Sequence, residues 1–143
     1  MRYLGLDLGT KTLGVALTDK SNTISTPLKT IRFEFEKYES VLEELEEIIT
    51  KNNVSEIALG LPKNMDGSMG FASDRSLNFK KLLEDNFKDI KVTLIDERLS
   101  SIEAHNILSG NGKKEKEHKK NVDAVAATII LDTFLKRKAN ENE

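Results

Sequence analysis

Cysteine is absent from the 143 residues, so disulfides and thiolate metal sites are both excluded. Histidine occurs only twice, which leaves carboxylate oxygen as the main source of metal ligands. No long apolar run is present: the longest, inside Val122 to Leu135, is broken by Asp123, Thr128, Asp132 and Thr133, too short and too polar to span a bilayer. The first residues enter a strand-like run without the basic-then-apolar pattern of a secretory leader. Together these predict a cytoplasmic protein with no membrane and no disulfide-linked partner. An excess of positive charge is also missing: net charge is −2 and the pI about 5.8. A surface for nucleic acid must therefore be local.

What is present suits one soluble domain. Apolar residues make up 38% and charged residues 32% of the chain, and the length allows a real core. The expected layout is a single domain over 1–138 and a flexible C-terminal tail over 139–143.

Two strands are predicted, Tyr3 to Leu8 and Gly14 to Asp19, joined by the turn Gly9-Thr10-Lys11-Thr12. An edge strand follows over about Leu28 to Phe35. Tyr38, Val41, Leu42, Leu45, Ile48 and Ile49 recur at helical spacing. Ile57 to Leu61 reads as a strand ended by Pro62, and Lys63 to Gly70 as a long turn. Phe71 to Phe87 is a second helix and Val92 to Ile95 a buried strand. Ser100 with Glu103 forms a capping box for a short helix that Gly110 stops. Asn111 to Lys120 reads as a charged linker. The last helix carries Val122, Val125, Ala126, Ile129, Ile130 and Phe134 on one stripe. The order β-β-β-α-β-α-β-α-α requires parallel crossovers after three hairpin-linked strands. The fold class is α/β, a mixed five-stranded sheet with helices on both faces.

Acids stand where such a sheet gathers its chemistry. Alternation sets Leu4, Leu6 and Leu8 on one face of the first strand and Tyr3, Gly5 and Asp7 on the other. An acid there is costly unless paired or metal-bound, and Gly5 and Gly9 leave room beside it. A purely structural Asp7, bonded to the 9–12 turn, is the competing reading. Asp96 and Glu97 end the strand at Val92 to Ile95; neighbours on an extended chain point oppositely, so only one of them faces Asp7. Both also suit the start of a helix. Asp123 shares a helix face with Ala126, Ala127 and Ile130, whereas Asp132 lies half a turn around; a first-turn acid complementing the helix dipole is its alternative role. Three converging carboxylates without Cys suit Mg²⁺ or Mn²⁺ better than Zn²⁺, and such ions activate water against a phosphodiester.

Four segments then carry a resemblance. They are Leu6-Asp7-Leu8-Gly9-Thr10-Lys11 with Gly14-Val15-Ala16, Gly60-Leu61-Pro62 through Asn64-Met65-Asp66-Gly67-Ser68, Asp96-Glu97-Arg98-Leu99-Ser100-Ser101, and Asp123-Ala124-Val125-Ala126-Ala127. In this order the chain resembles the YqgF (RuvX) family, Holliday-junction-resolvase-like proteins regarded as candidate nucleases for the 5′ end of pre-16S rRNA. The resemblance implies a ribonuclease H-like fold and an acidic triad at Asp7, Glu97 and Asp123, serving as metal ligands and catalytic groups. It also makes Arg98 and the Gly60–Ser68 loop, Asn64 included, candidates for holding phosphate. Gly60-Leu61-Pro62 stands where junction resolvases carry a further acid, which speaks against four-way-junction cleavage.

For substrate contacts, Lys113, Lys114, Lys116, Lys119 and Lys120 form one dense basic run before Asp123, either a phosphate track or a solvated linker. Lys11 and Arg75 are further candidates. The partner implied is nucleic acid, foremost an rRNA precursor; the oligomeric state is not legible. A DNA junction resolvase is one alternative, and two further functions compete with the nuclease. One is a catalytically weak ribosome-assembly factor, which the acidic pI favours. The other is an actin-like phosphotransferase fragment, whose phosphate loop Asp7–Thr12 resembles but whose second domain is missing; no Gly-x-x-x-x-Gly-Lys-Ser/Thr loop occurs.

Overall fold

The computed structural model describes residues 1–62, 69–96 and 115–141, with 115–123 and 141 described as backbone. Five strands form one sheet: β1 (Arg2–Leu8), β2 (Thr12–Thr18), β3 (Ser25–Arg32), β4 (Val54–Leu61) and β5 (Lys91–Asp96). Their order is β3-β2-β1-β4-β5. β1 and β2 pair antiparallel, as do β2 and β3, while β4 runs parallel to both β1 and β5. Parallel pairs need helical crossovers. A 3₁₀ turn at Tyr38–Val41 with α1 (Leu42–Asn52) supplies one and α2 (Phe71–Asn86) the other. The last helix, α3, spans Glu115–Glu141.

Alternation along β1 divides the core in two. Leu4, Leu6 and Leu8 join Leu13, Val15, Ile57 and Leu59 under α1 and α2, with Phe79 and Leu83 packed on them. The opposite face holds Ala16, Ala58 and Ile95 against Ala127, Ile130, Leu131 and Phe134 of α3, with Tyr3 alongside. Each fully buried Leu or Ile contributes about 1.5–3 kcal/mol. Small residues on the second face let α3 lie close, and an added Cβ at Gly5 would come within 2.7 Å of the Ala127 carbonyl oxygen.

The mixed five-stranded sheet with helices on both faces is as expected, while several boundaries move. β3 starts at Ser25 rather than near Leu28, because the stretch to Arg32 finds partners on β2, from Thr18↔Ser25 to Thr12↔Arg32, with a register shift at Leu28. The single helix expected from Tyr38 opens instead with a 3₁₀ turn that has no side-chain cap. Residues Glu115 to Lys120, expected as linker, are helical in α3; Glu and Lys are strong helix formers and no Gly or Pro follows Glu115. For the same reason α3 continues to Glu141, so most of the expected tail at 139–143 is helical. The short helix expected between Ser100 and Gly110 and the first residues of the linker lie outside the described residues. Among the described residues no helix is long and apolar enough to cross a membrane.

The β2–β3 hairpin is held by Asp19. Its carboxylate accepts from the Ile24 and Thr23 amides at 3.1 and 2.8 Å and from the Ser21 and Thr23 hydroxyls. The Ile24 amide, then Ser21, then Thr23 hold its pKa far below the usual carboxylate range. A group with depressed pKa stabilises above its unfolded value and loses that contribution as pH falls through the folded one. Amide exchange at Thr23 and Ile24 is therefore expected to stay slow from neutral pH down past about pH 4 and to rise only in stronger acid. In Asp19→Ala it should be fast throughout, and equal protection in both proteins would refute this role.

Candidate active site

β1 lies at the centre of the sheet, and its carboxyl end shares an edge with those of β4 and β5. Asp7 is the penultimate residue of β1 and is half-buried. It pairs in register with Gly14 on β2. On its other side the pairing Leu6↔Leu59 sets Gly60 as the next position of β4, and Gly60 pairs with Ile95 of β5. Residues in one row project to the same face, and Ile95 packs in the cluster under α3. Asp7 is thus an acid on the α3 face with glycine as neighbour on both sides.

The path of α3 over that face follows from two contacts. The Phe134 ring meets Tyr3 edge-on at 5.2 Å between centroids, and Gly5 lies against Ala127 and Leu131. Moving from Tyr3 to Gly5 advances the strand by roughly 6.6 Å, while the helix runs the opposite way by a comparable length. One more step of the same ruler leads from Gly5 to Asp7 and, on α3, back one turn from Ala127. The backbone of that preceding turn carries Asp123 and Ala124. Ala124 itself is buried at 6% exposure.

The remaining expected site residues distribute as follows. Asp96 ends β5, next to Ile95 and so on the face opposite Asp7. Glu97, Arg98, Asn64, Lys113 and Lys114 lie outside the described residues. Asp123, Lys119 and Lys120 are backbone positions of α3. Lys11 is exposed in the turn after β1, where its carbonyl accepts from the Phe33 amide at 2.9 Å. Asp132, expected to face away from the sheet, instead accepts a hydrogen bond from Ser25 Oγ, because α3 also covers the end of β3. Among the described residues no group of three or more His, Cys, Asp or Glu is gathered in metal-binding range, and of the expected triad only the Asp7 side chain is among them.

The donor set is compatible with a hard divalent ion: the chain has no thiolate, and Asp7 offers the carboxylate oxygen such an ion prefers. What sequence reading missed is the row itself. Gly14 and Gly60 were both visible in the motifs, but only the strand register makes them the neighbours of Asp7.

Comparison with known proteins bears on the same segments. A family model described as RuvX, Holliday junction resolvase, matches residues 1–137. A protein of Onion yellows phytoplasma (strain OY-M), named "Putative pre-16S rRNA nuclease", is 45% identical over 132 residues, 92% of this chain and 87% of that one. One of the same name from Geobacillus sp. (strain WCH70) is 43% identical over 138 residues, covering 96% and 99%. Among solved structures, T. thermophilus RuvC in complex with a Holliday junction substrate superposes with a TM-score of 0.62 at 9% identity, over 96% of each chain. That likeness shows the fold, which is ribonuclease H-like. The match over nearly the full length, with relatives above 40% identity, shows that the chain belongs to the RuvX family.

Proposed function

We propose that this protein is a cytoplasmic, divalent-metal-dependent nuclease that hydrolyses phosphodiester bonds in pre-16S rRNA during maturation of the 5′ end. The observation that carries this reading is Asp7 on the α3 face between Gly14 and Gly60, one step of the sheet–helix register from Ala127. The names of the relatives support the substrate.

Under this reading Asp7, Glu97 and Asp123 are the metal ligands and catalytic acids. The family resemblance puts Glu97 rather than Asp96 in the set, and the place of Asp96 on the face away from Asp7 supports that choice. A bound Mg²⁺ or Mn²⁺ would supply an activated water and charge stabilisation for the leaving oxygen. The chain's own contribution is to hold the carboxylates. Asp7 is fixed by a central strand hydrogen-bonded on both sides, Asp123 by a helix seated on Gly5. Glu97 follows β5 in the sequence, a strand two places from β1 and about 10 Å across the sheet. Arg98, Asn64 and the lysines Lys11, Lys113, Lys114, Lys119 and Lys120 are the candidate phosphate contacts.

The test is cleavage of an end-labelled small-subunit rRNA precursor by the purified full chain. Products are expected with Mg²⁺ or Mn²⁺ and none in EDTA, with activity returning when metal is added back. Persistent inertness in both metals while the RNA binds would overturn the nuclease and favour an assembly factor.

A further inference from the structure

Near Asp7 the floor under α3 is made of small residues: Gly5, Ala16 and Ala58 meet Ala127, Ile130 and Leu131 of the helix. Such a floor lets the helix lie close, but it offers no side-chain ridge to stop the helix turning about its own axis. Rotation matters at a metal site. A turn of about 20° moves a side chain at the helix surface by roughly 2 Å, the length of a whole bond from carboxylate oxygen to Mg²⁺.

Two polar contacts hold α3 from its flanks. On the side of the edge strand β3, Ser25 Oγ donates to Asp132 Oδ1 and stands 3.3 Å from the Thr128 carbonyl oxygen. Ser25, Thr128 and Asp132 are all half-buried. On the other flank, Arg137 Nη1 donates to the Leu94 carbonyl of β5 at 3.4 Å. β3 and β5 are the two edges of the sheet, so the contacts oppose rotation in either sense. They are unequal: Arg137 is exposed and its bond is long, whereas the bond to Asp132 is half-buried and ends on a carboxylate, the stronger kind of acceptor.

Helical geometry ties this brace to the site. At about 100° per residue, position 123 lies about 180° around the helix from Asp132 and about 40° from Arg137. With Asp132 held toward β3, position 123 takes the flank of β4 and β5. On that flank Gly60 continues the row of Asp7, and Glu97 follows β5 in the sequence. Thr128 Oγ1 donates to the Ala124 carbonyl at 3.0 Å, joining the braced turn to the one that begins at 123.

Resting on the nuclease reading above, we propose that Ser25 and Asp132 are positioning residues of the metal site, setting the rotation of α3 and with it the approach of Asp123 to Asp7. Asp132 stands about 13 Å along the helix from position 123 and is no ligand itself. What the site takes from it is an acceptor for Ser25 rather than a charge, so asparagine can replace it.

The test uses the full chain and reads metal binding directly, from the loss of the free Mn²⁺ signal in electron paramagnetic resonance. Single-turnover cleavage of the precursor fragment over a range of Mn²⁺ accompanies it. Ser25→Ala and Asp132→Ala are each expected to weaken Mn²⁺ binding about tenfold, the low end of what groups behind metal ligands contribute. The Mn²⁺ needed for half-maximal cleavage should rise by the same factor, with cleavage recovering at saturating metal. The double variant should bind as each single one does, because both remove one interaction. Asp132→Asn keeps the acceptor and should bind Mn²⁺ as wild type does; should Asp132→Ala fail to fold, Ser25→Ala and Asp132→Asn carry the comparison. Alanine variants with lowered Tm and unchanged Mn²⁺ affinity would show a bond that is structural only. That result, or an Asp132→Asn protein as impaired as Ser25→Ala, overturns the proposal and leaves the nuclease reading standing. A wild-type chain that neither takes up Mn²⁺ nor cleaves overturns the nuclease reading and the positioning role with it.

Discussion

Asp7→Asn is expected to reduce metal-dependent cleavage at least about a thousandfold, about 4 kcal/mol of barrier, while the protein stays folded. Asn keeps the shape of Asp on the α3 face between Gly14 and Gly60 but removes the charge a hard cation requires. The strand itself is held by its ladder to β2 and β4 and by Leu4, Leu6 and Leu8 on the far side. The readouts are single-turnover cleavage of the precursor fragment, circular dichroism, and RNA affinity in EDTA. Unchanged spectra and affinity with lost cleavage place Asp7 in the chemistry. Cleavage within tenfold of wild type would show that Asp7 is structural. Glu97→Gln and Asp123→Asn extend the comparison. If all three acids serve one ion, combining two substitutions costs little more than one, since groups acting as a unit are not additive.

The Leu4-Leu6-Leu8 alternation was enough to assign Asp7 its face, opposite the leucines. Period-two patterning works there because β1 is central and both its faces are packed. It fails at β3, an edge strand with four successive exposed residues from Thr26 to Lys29, where backbone pairing rather than burial sets the limits. The sequence Glu115 to Lys120 looked like linker because its charges obscure any apolar stripe, yet charge does not oppose a helix built of Glu and Lys. Within the site, the acids were legible one by one, whereas their neighbours were not. That Gly14 and Gly60 flank Asp7 is a property of register, which depends on three strands far apart in the chain.

Gly5→Ala is expected to destabilise the fold by about 2–3 kcal/mol, a fall in Tm on the order of 10 °C for a chain of this length, and to depress cleavage as well. A Cβ built at Gly5 lies 2.7 Å from the Ala127 carbonyl oxygen and 2.8 Å from Leu131 Cβ. Neither atom is the free end of a flexible chain: one is helix backbone and the other the first carbon of a buried residue. Relief requires α3 to lift from β1. Lifting pulls Ala127, Ile130 and Leu131 away from Ala16, Ala58 and Ile95 and opens the interface that the small residues made possible. The same movement carries the turn bearing Asp123 away from Asp7, so the loss in cleavage should exceed what unfolding explains and persist well below Tm. Enlarging Ala58 to Val on β4 tests the specificity of the effect: it crowds the same cluster through side chains alone, so it is expected to lower Tm less and to spare activity at low temperature. A Gly5→Ala protein with wild-type Tm and cleavage would mean that α3 does not rest on β1 at Gly5. Loss of cleavage at unchanged Tm would instead identify the helix–strand spacing itself as the element that sets the distance between the two acids.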